Sequence, residues 1–197
     1  MQNTTGVTMR ASSSLLAVVA LFLAASVLGA PSSAPPDPCA GAEYHALDFW
    51  VGDWNAYIPA GKTMQNGEVA KEDILAARAS VTSILDGCDY LETWDSVPHG
   101  NGAIYRGKGF HHYDARSGTW RQFWIANNGN DNLSIGGPTE SGGVSYTSER
   151  ADPNGGSALV RQTIEPAGEG AVWNRAEIST DGGKTWTPSY RFLYRRR

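Results

Sequence analysis

Residues 45–54, HALDFWVGDW, decide how the rest of the chain is read. Leu47, Phe49 and Trp50 crowd large apolar side chains into a short turn, and Gly52-Asp53-Trp54 leads at once into a strand-like run, Asn55 to Ile58. An isolated helix this short does not stand on its own in water. The stretch reads as a helical plug followed by a first strand.

Beyond Pro59 the chain becomes a succession of short alternating runs punctuated by Gly, Asn, Asp and Pro, the pattern of an antiparallel β domain. In ILAARASVTSIL, residues 74–85, Ala77, Ala79, Val81, Ser83 and Leu85 share one face while Arg78, Ser80 and Thr82 share the other, a period of two. Asp86-Gly87 is a turn signal, and Tyr90 to Trp94 is the next strand. Further strands are read in AIYRGKGFHHYD, TWRQFWIAN, Leu133 to Ile135, VSYTSER, SALVRQTIE, AVWNRAEIS and TPSYRFLYR. Consecutive short strands without crossover helices form a meander, and closing the meander on itself removes its edges. The expected fold is all-β, an antiparallel up-and-down meander barrel of about eight to ten strands with a short N-terminal helical plug.

Upstream of the plug, Arg10 precedes an uncharged run to Ala30 centred on SLLAVVALFLAAS, which reads as a signal peptide over residues 1–30 cleaved after Gly29. The apolar core is short for a lasting membrane span, so none is expected once the signal is removed. A Pro-rich arm, residues 31–42, then leads to a barrel domain at 43–197, placed by this reading in a secreted or periplasmic location. In such an oxidising compartment Cys39 and Cys88 are expected to pair, and their spacing is not a metal pattern. The formal net charge is −4, and Arg10 is the one charged residue of the first thirty, so the remainder carries −5 without charge runs. That balance argues against a nucleic-acid partner. The only basic cluster, Arg195-Arg196-Arg197, reads as a strand end in solvent, and no feature sets an oligomeric state.

A plug, then Gly-x-Trp opening the first strand, then a long meander ending near a basic residue resembles the calycin group, the lipocalins and their relatives. In that resemblance Gly52 and Trp54 carry the motif, and Arg191 or Arg195 supplies the base that packs over the Trp. LDFWVGDWN, SILDGCDYLETW, YDARSGTWRQFWIANNG and EISTDGGKTWT with YRFLYRRR are similar to bacterial secreted proteins of the DUF1579 type, over nearly all of the chain past the signal. This second resemblance implies a lipocalin-like fold and brings no reaction with it. Ser179 to Trp186, STDGGKTW, resembles the Asp-box hairpin of sialidase propellers; a single copy cannot build a propeller, so Asp181 and Trp186 are expected to be structural.

Strand parity nominates the interior. Trp120, Gln122 and Trp124 share one face, and Arg121 on the other belongs in water, so the Trp-Gln-Trp row should point inward. Glu92 and Trp94 share a face, and Tyr105, Gly107, Gly109, His111 and Tyr113 alternate with Arg106 and Lys108, the glycines leaving room for a ligand. Arg161 and Glu177 lie in neighbouring strands and are expected either to orient an anionic ligand from inside or to pair on the surface. The expected ligand-binding set is therefore Glu92, Trp94, Tyr105, His111, Trp120, Gln122, Trp124, Arg161 and Glu177, an aromatic cavity with few polar groups.

No Gly-x-Ser-x-Gly elbow, phosphate-cradling Gly loop or HExxH appears, so no catalytic residue is assigned. His111 and His112 face opposite ways on a strand, and no metal site is expected. The leading expectation is non-catalytic binding of a small apolar or aromatic ligand inside the barrel. One alternative is an enzyme using Glu92 or Glu177 as acid or base. Another is a nitrobindin-like haem protein with His111 as ligand, although GDWNA lacks the second Gly of that family's Gly-x-Trp-x-Gly, so the expectation is no cofactor. A third is a filled, purely structural barrel.

Overall fold

In a computed structural model, residues 37–62, 68–98, 102–152 and 155–197 are described. The signal peptide and most of the Pro-rich arm lie outside them. The described residues belong to one compact unit, Asp37–Arg197. Two short 3₁₀ turns, Ala42–His45 and Asp48–Trp50, precede ten strands: β1 (Gly52–Ile58), β2 (Ile74–Ile84), β3 (Asp89–Ser96), β4 (Arg106–Asp114), β5 (Thr119–Ala126), β6 (Asp131–Pro138), β7 (Val144–Ala151), β8 (Ser157–Gly168), β9 (Ala171–Ser179) and β10 (Thr187–Arg196). Each strand pairs antiparallel with its neighbours in sequence, and β1 pairs with β10, so the sheet is a closed barrel. Among the described residues no helix is long and apolar enough to cross a membrane.

The plug fills one end of the barrel. Leu47 and Trp50 are fully buried, and the Trp50 ring stands edge-on to His111 and Tyr194 with centroids 5.2 and 5.9 Å away. The inward face of β2, Ala77, Ala79 and Val81, is small, which admits the bulky Trp50 and Trp54. Trp54 donates its indole N–H to the Trp50 carbonyl at 2.8 Å, joining the plug to the first strand. The Tyr90 hydroxyl donates to the Asp48 carboxylate and lies 2.8 Å from the Tyr44 carbonyl. Burial, and then the Asp48 contact, hold that hydroxyl well above its ordinary pKa.

The Cys39–Cys88 disulfide is formed, with Cα atoms 5.2 Å apart across 49 residues, and ties the start of the unit to the β2–β3 turn. That turn is tighter than Asp-Gly alone implies: Leu85, Asp86 and Gly87 are all left-handed, at φ of 52°, 58° and 98°.

The base over Trp54 is neither Arg191 nor Arg195. Strand closure puts Arg196 opposite Trp54, its guanidinium 4.3 Å from the ring centroid and its Nη1 donating to the Val51 carbonyl at 2.7 Å. Gly52 makes this possible: it sits at φ +141°, and a Cβ there would lie 2.0 Å from Arg196 Nη1. Arg191 lies over Trp173 and Arg195 over Tyr57. The three C-terminal arginines are exposed at the strand end, as the sequence implies, and two of them are ion-paired. Arg195 pairs with Asp73, just before β2, at 2.6 Å, and Arg197 with Asp53 of β1 at 3.1 Å.

Candidate functional site

Cross-strand register assembles the interior in layers. Glu92 of β3 faces Gly109 of β4, which faces Trp124 of β5, which faces Asn132 of β6. One layer nearer the plug run Tyr90, His111, Gln122 and Ser134. The inward row of β10, Tyr190, Phe192 and Tyr194, completes the wall opposite, beside Asn174 of β9 and Gln162 of β8.

Above the plugged end lies a cavity of about 590 Å³, bordered by Glu92, Gln122, Trp124, Asn132, Ser134 and the inward row of β10, that opens at the other end of the barrel. Trp94, Tyr105, Trp124, Tyr190 and Phe192 supply aromatic walls. Tyr105 and Trp124 stack at 6.5 Å, with the indole N–H donating to the Tyr105 hydroxyl at 2.8 Å, and Trp94 leans on Phe192 at 5.0 Å. Asn130, Asp131 and Arg150 also line it, and all three are exposed.

The floor is polar. Tyr194 donates its hydroxyl to Glu92 Oε1 at 3.0 Å and accepts from the Asn174 amide at 3.2 Å. Asn174 Oδ1 accepts from the Gln162 amide at 3.0 Å and from the Tyr190 hydroxyl at 3.3 Å. Glu92 is 1% exposed, and its second oxygen, Oε2, has no hydrogen-bond partner. The His111 Nε2 atom is also unpartnered, and the 3.7 Å between the two is too long for a hydrogen bond. Burial first, then the negative field of Glu92, push the hydroxyls of Tyr146, Tyr190 and Tyr194 up from their ordinary pKa.

Of the nine residues expected at a binding site, Glu92, Trp94, Tyr105, Gln122 and Trp124 line this cavity. Tyr105 precedes β4 and stands at the rim, partly exposed. His111 and Trp120 point inward but do not line the cavity. Trp120 is packed between Tyr90 and Tyr113 under the plug, and His111 is fully buried against Trp50 and Tyr146, its Nδ1 3.1 Å from the Tyr146 hydroxyl. A haem ligand must face the space that holds the macrocycle, and His111 does not; these residues do not fit haem. Among the described residues no cluster of three or more metal-ligating side chains occurs.

Arg161 and Glu177 are on the outer wall. They pair across β8 and β9 at 2.8 Å, and the Arg161 guanidinium lies 4.0 Å from the centroid of Trp186. The inward residues of these strands are Val160, Gln162 and Asn174, so Glu177 cannot act in the cavity as acid or base, and neither can Arg161 orient a ligand there.

The glycines of β4 do not leave room for a ligand either. A Cβ on Gly107 would lie 2.0 Å from the Trp124 ring, and one on Gly109 would crowd Trp124 and His111 at 3.1 Å. The space they vacate holds an indole.

The Asp-box stretch forms the β9–β10 hairpin. Asp181 accepts from the Thr185 hydroxyl at 2.6 Å, from the Lys184 and Thr185 backbone and from Ser179, and Trp186 donates to the Gly183 carbonyl at 3.0 Å.

Tyr190, Phe192, Tyr194, Asn174 and Gln162 were missed. In β10 the signal is visible, since Tyr190, Phe192 and Tyr194 recur every second residue opposite Arg191, Leu193 and Arg195.

Fold and site together define a plugged, closed ten-strand antiparallel barrel with an open, aromatic, polar-floored cavity. The chain matches no protein-family model, and no curated protein is similar enough to it to count as a match.

Proposed function

We propose that the barrel binds a small molecule non-covalently in its open half, with the apolar or aromatic body of the ligand against Trp94, Trp124 and Phe192. The observation that carries this reading is the cavity itself: about 590 Å³ is left between aromatic walls, within the range of small-molecule sites. A barrel serving only as a structural module fills this space with side chains, as the plugged end does. Glu92 and Glu177, the two carboxylates considered for acid–base chemistry, point to opposite sides of the sheet. They do not form the paired-carboxylate cleft of a glycosidase.

The same proposal places the protein outside the cytoplasm, in keeping with the N-terminal signal-peptide pattern and the Cys39–Cys88 disulfide. A lipocalin-like kinship of the DUF1579 type is part of this reading and rests on the sequence resemblance.

Trp94 and Trp124 make intrinsic fluorescence the direct test. Titration with a panel of lipids and aromatic metabolites should shift or quench emission for at least one class, and Trp124→Phe should diminish the change. A flat response to the whole panel, with the protein folded, counts against ligand binding.

A further inference from the structure

We propose that the ligand is a protonated primary or secondary amine carried on an aromatic or apolar body, its ammonium held by Glu92 at the cavity floor. This rests on the binding reading above and names the chemical class of the ligand.

Glu92 is the reason. Glu92 lines the cavity with its carboxylate buried; one oxygen is satisfied by Tyr194, and the other has no hydrogen-bond partner. A carboxylate removed from water calls for a counter-charge and hydrogen-bond donors. The barrel gives Oε2 no hydrogen-bond donor, and the candidate counter-charge beside it, the His111 imidazole, is charged only if protonated. His111 Nε2 stops 3.7 Å short, and Arg150, the only basic side chain among the described lining residues, is exposed. An ammonium with at least one N–H provides both at once.

The walls point the same way. The face of an aromatic ring attracts cations. Elsewhere among the described residues Trp54, Tyr57, Trp173 and Trp186 each carry an arginine over the ring. Trp94 and Trp124 border the cavity instead. A cation entering it meets aromatic walls on the way and the Glu92 carboxylate at the end. An anion meets the unshielded field of Glu92, the same field that acts on Tyr146, Tyr190 and Tyr194. A neutral alcohol can fill the hydrogen bond and leaves the charge unmatched.

The test is a matched series on the purified chain at neutral pH: 2-phenylethylamine, 2-phenylethanol and 3-phenylpropanoate, each titrated by calorimetry and by tryptophan fluorescence. The amine is expected to bind at least about ten-fold more tightly than the alcohol, as charge-assisted hydrogen bonds do over neutral ones, and the carboxylate more weakly than either. Glu92→Gln should abolish the preference for the amine while the alcohol still binds. The wild-type series decides the ligand class even where that variant fails to fold. Alcohol binding equal to or tighter than amine binding overturns the ammonium inference and leaves the cavity a binding site. An amine preference that survives in folded Glu92→Gln overturns the assignment to Glu92. Silence from all three compounds overturns this inference and counts against the binding reading beneath it.

Discussion

Trp120 and Trp124 stand four residues apart on the same inward row of β5, yet they meet opposite surroundings. Trp120 is 1% exposed and wedged between Tyr90 and Tyr113, whereas Trp124 borders open space and spends its N–H on Tyr105 at the rim. The strand is the same; what differs is what the rest of the chain brings to each end. Towards Trp120 the chain folds in Leu47 and Trp50, pinned by a disulfide and by Tyr90 on Asp48. Towards Trp124 the β5–β6 turn, Asn127 to Asn130, contributes only the exposed Asn130 to the cavity lining. The comparison teaches that strand closure makes the container, and that the plug decides which half of it is core and which half is available to a ligand.

The hardest blow to this contrast comes from truncating a ring at the closed end. Trp54→Ala removes a fully buried indole under Arg196 and should cost about 3–5 kcal/mol in denaturant unfolding, as large-to-small core changes do. Trp124→Ala, which enlarges a space already open, should cost less than half as much. Equal losses at the two positions would erase the distinction between the halves. Next in size is the disulfide. Replacing Cys39 and Cys88 by Ser frees a 49-residue loop, worth about 4 kcal/mol on the chain-entropy estimate. The loss should appear as a lower unfolding midpoint together with faster hydrogen exchange in the plug than at the open rim. Uniform acceleration around the barrel would mean that the staple does not belong to the closed end in particular.

Much of this arrangement is legible in the sequence, and the exceptions share a cause. The plug, the turns and the Cys pair are marked by residue type, and the inward rows of β3, β4 and β5 follow from local alternation, because one charged residue such as Arg121 is enough to tell a strand which face is wet. In β8 and β9 that contrast disappears. The inward row includes Gln162 and Asn174, polar because the cavity floor is polar, while the outward row of β9 includes Trp173, covered by Arg191. Parity alone cannot orient a strand whose two faces are both mixed, and Arg161 and Glu177 were therefore open to either reading. The identity of the base over Trp54 depends on the pairing of the first strand with the last, a register fixed across the whole chain rather than within any stretch. Which inward residues line the cavity and which are packed away depends on how deep the plug reaches, so His111 and Trp120 look like pocket residues until Trp50 is in place. The glycines of β4 likewise acquire their meaning only from the indole laid across them.

A gentler way to sharpen the contrast is to change the open half without disturbing the closed one. Gln122→Leu exchanges a floor amide for an apolar group of similar size, and stability should move by less than about 1.5 kcal/mol. Ligand affinity should change while the melting curve barely does. A variant that unfolds instead shows that Gln122 belongs to the packed network shared with the closed end.

The smallest effect is expected at the open rim itself, in the β9–β10 hairpin. Asp181 is held down to about 2 by the Thr185 hydroxyl and backbone N–H and by Ser179, which bond its ionised form. A folded-state pKa depressed below the unfolded value means that the ionised carboxylate favours the folded hairpin. Its contribution is complete above the unfolded value of about 4 and fades as pH falls towards about 2. Asp181→Asn should therefore lower the melting temperature slightly at neutral pH, and the gap between variant and wild type should narrow through that acidic window and close below it. Because the side chain is exposed, solvent screening keeps the effect modest, and the plugged end should not respond at all. A gap that stays constant down to the lowest pH would mean that the hairpin is held by the shape of its turn, with Gly182 and Gly183 at φ of 73° and 89°, and not by the charge of Asp181.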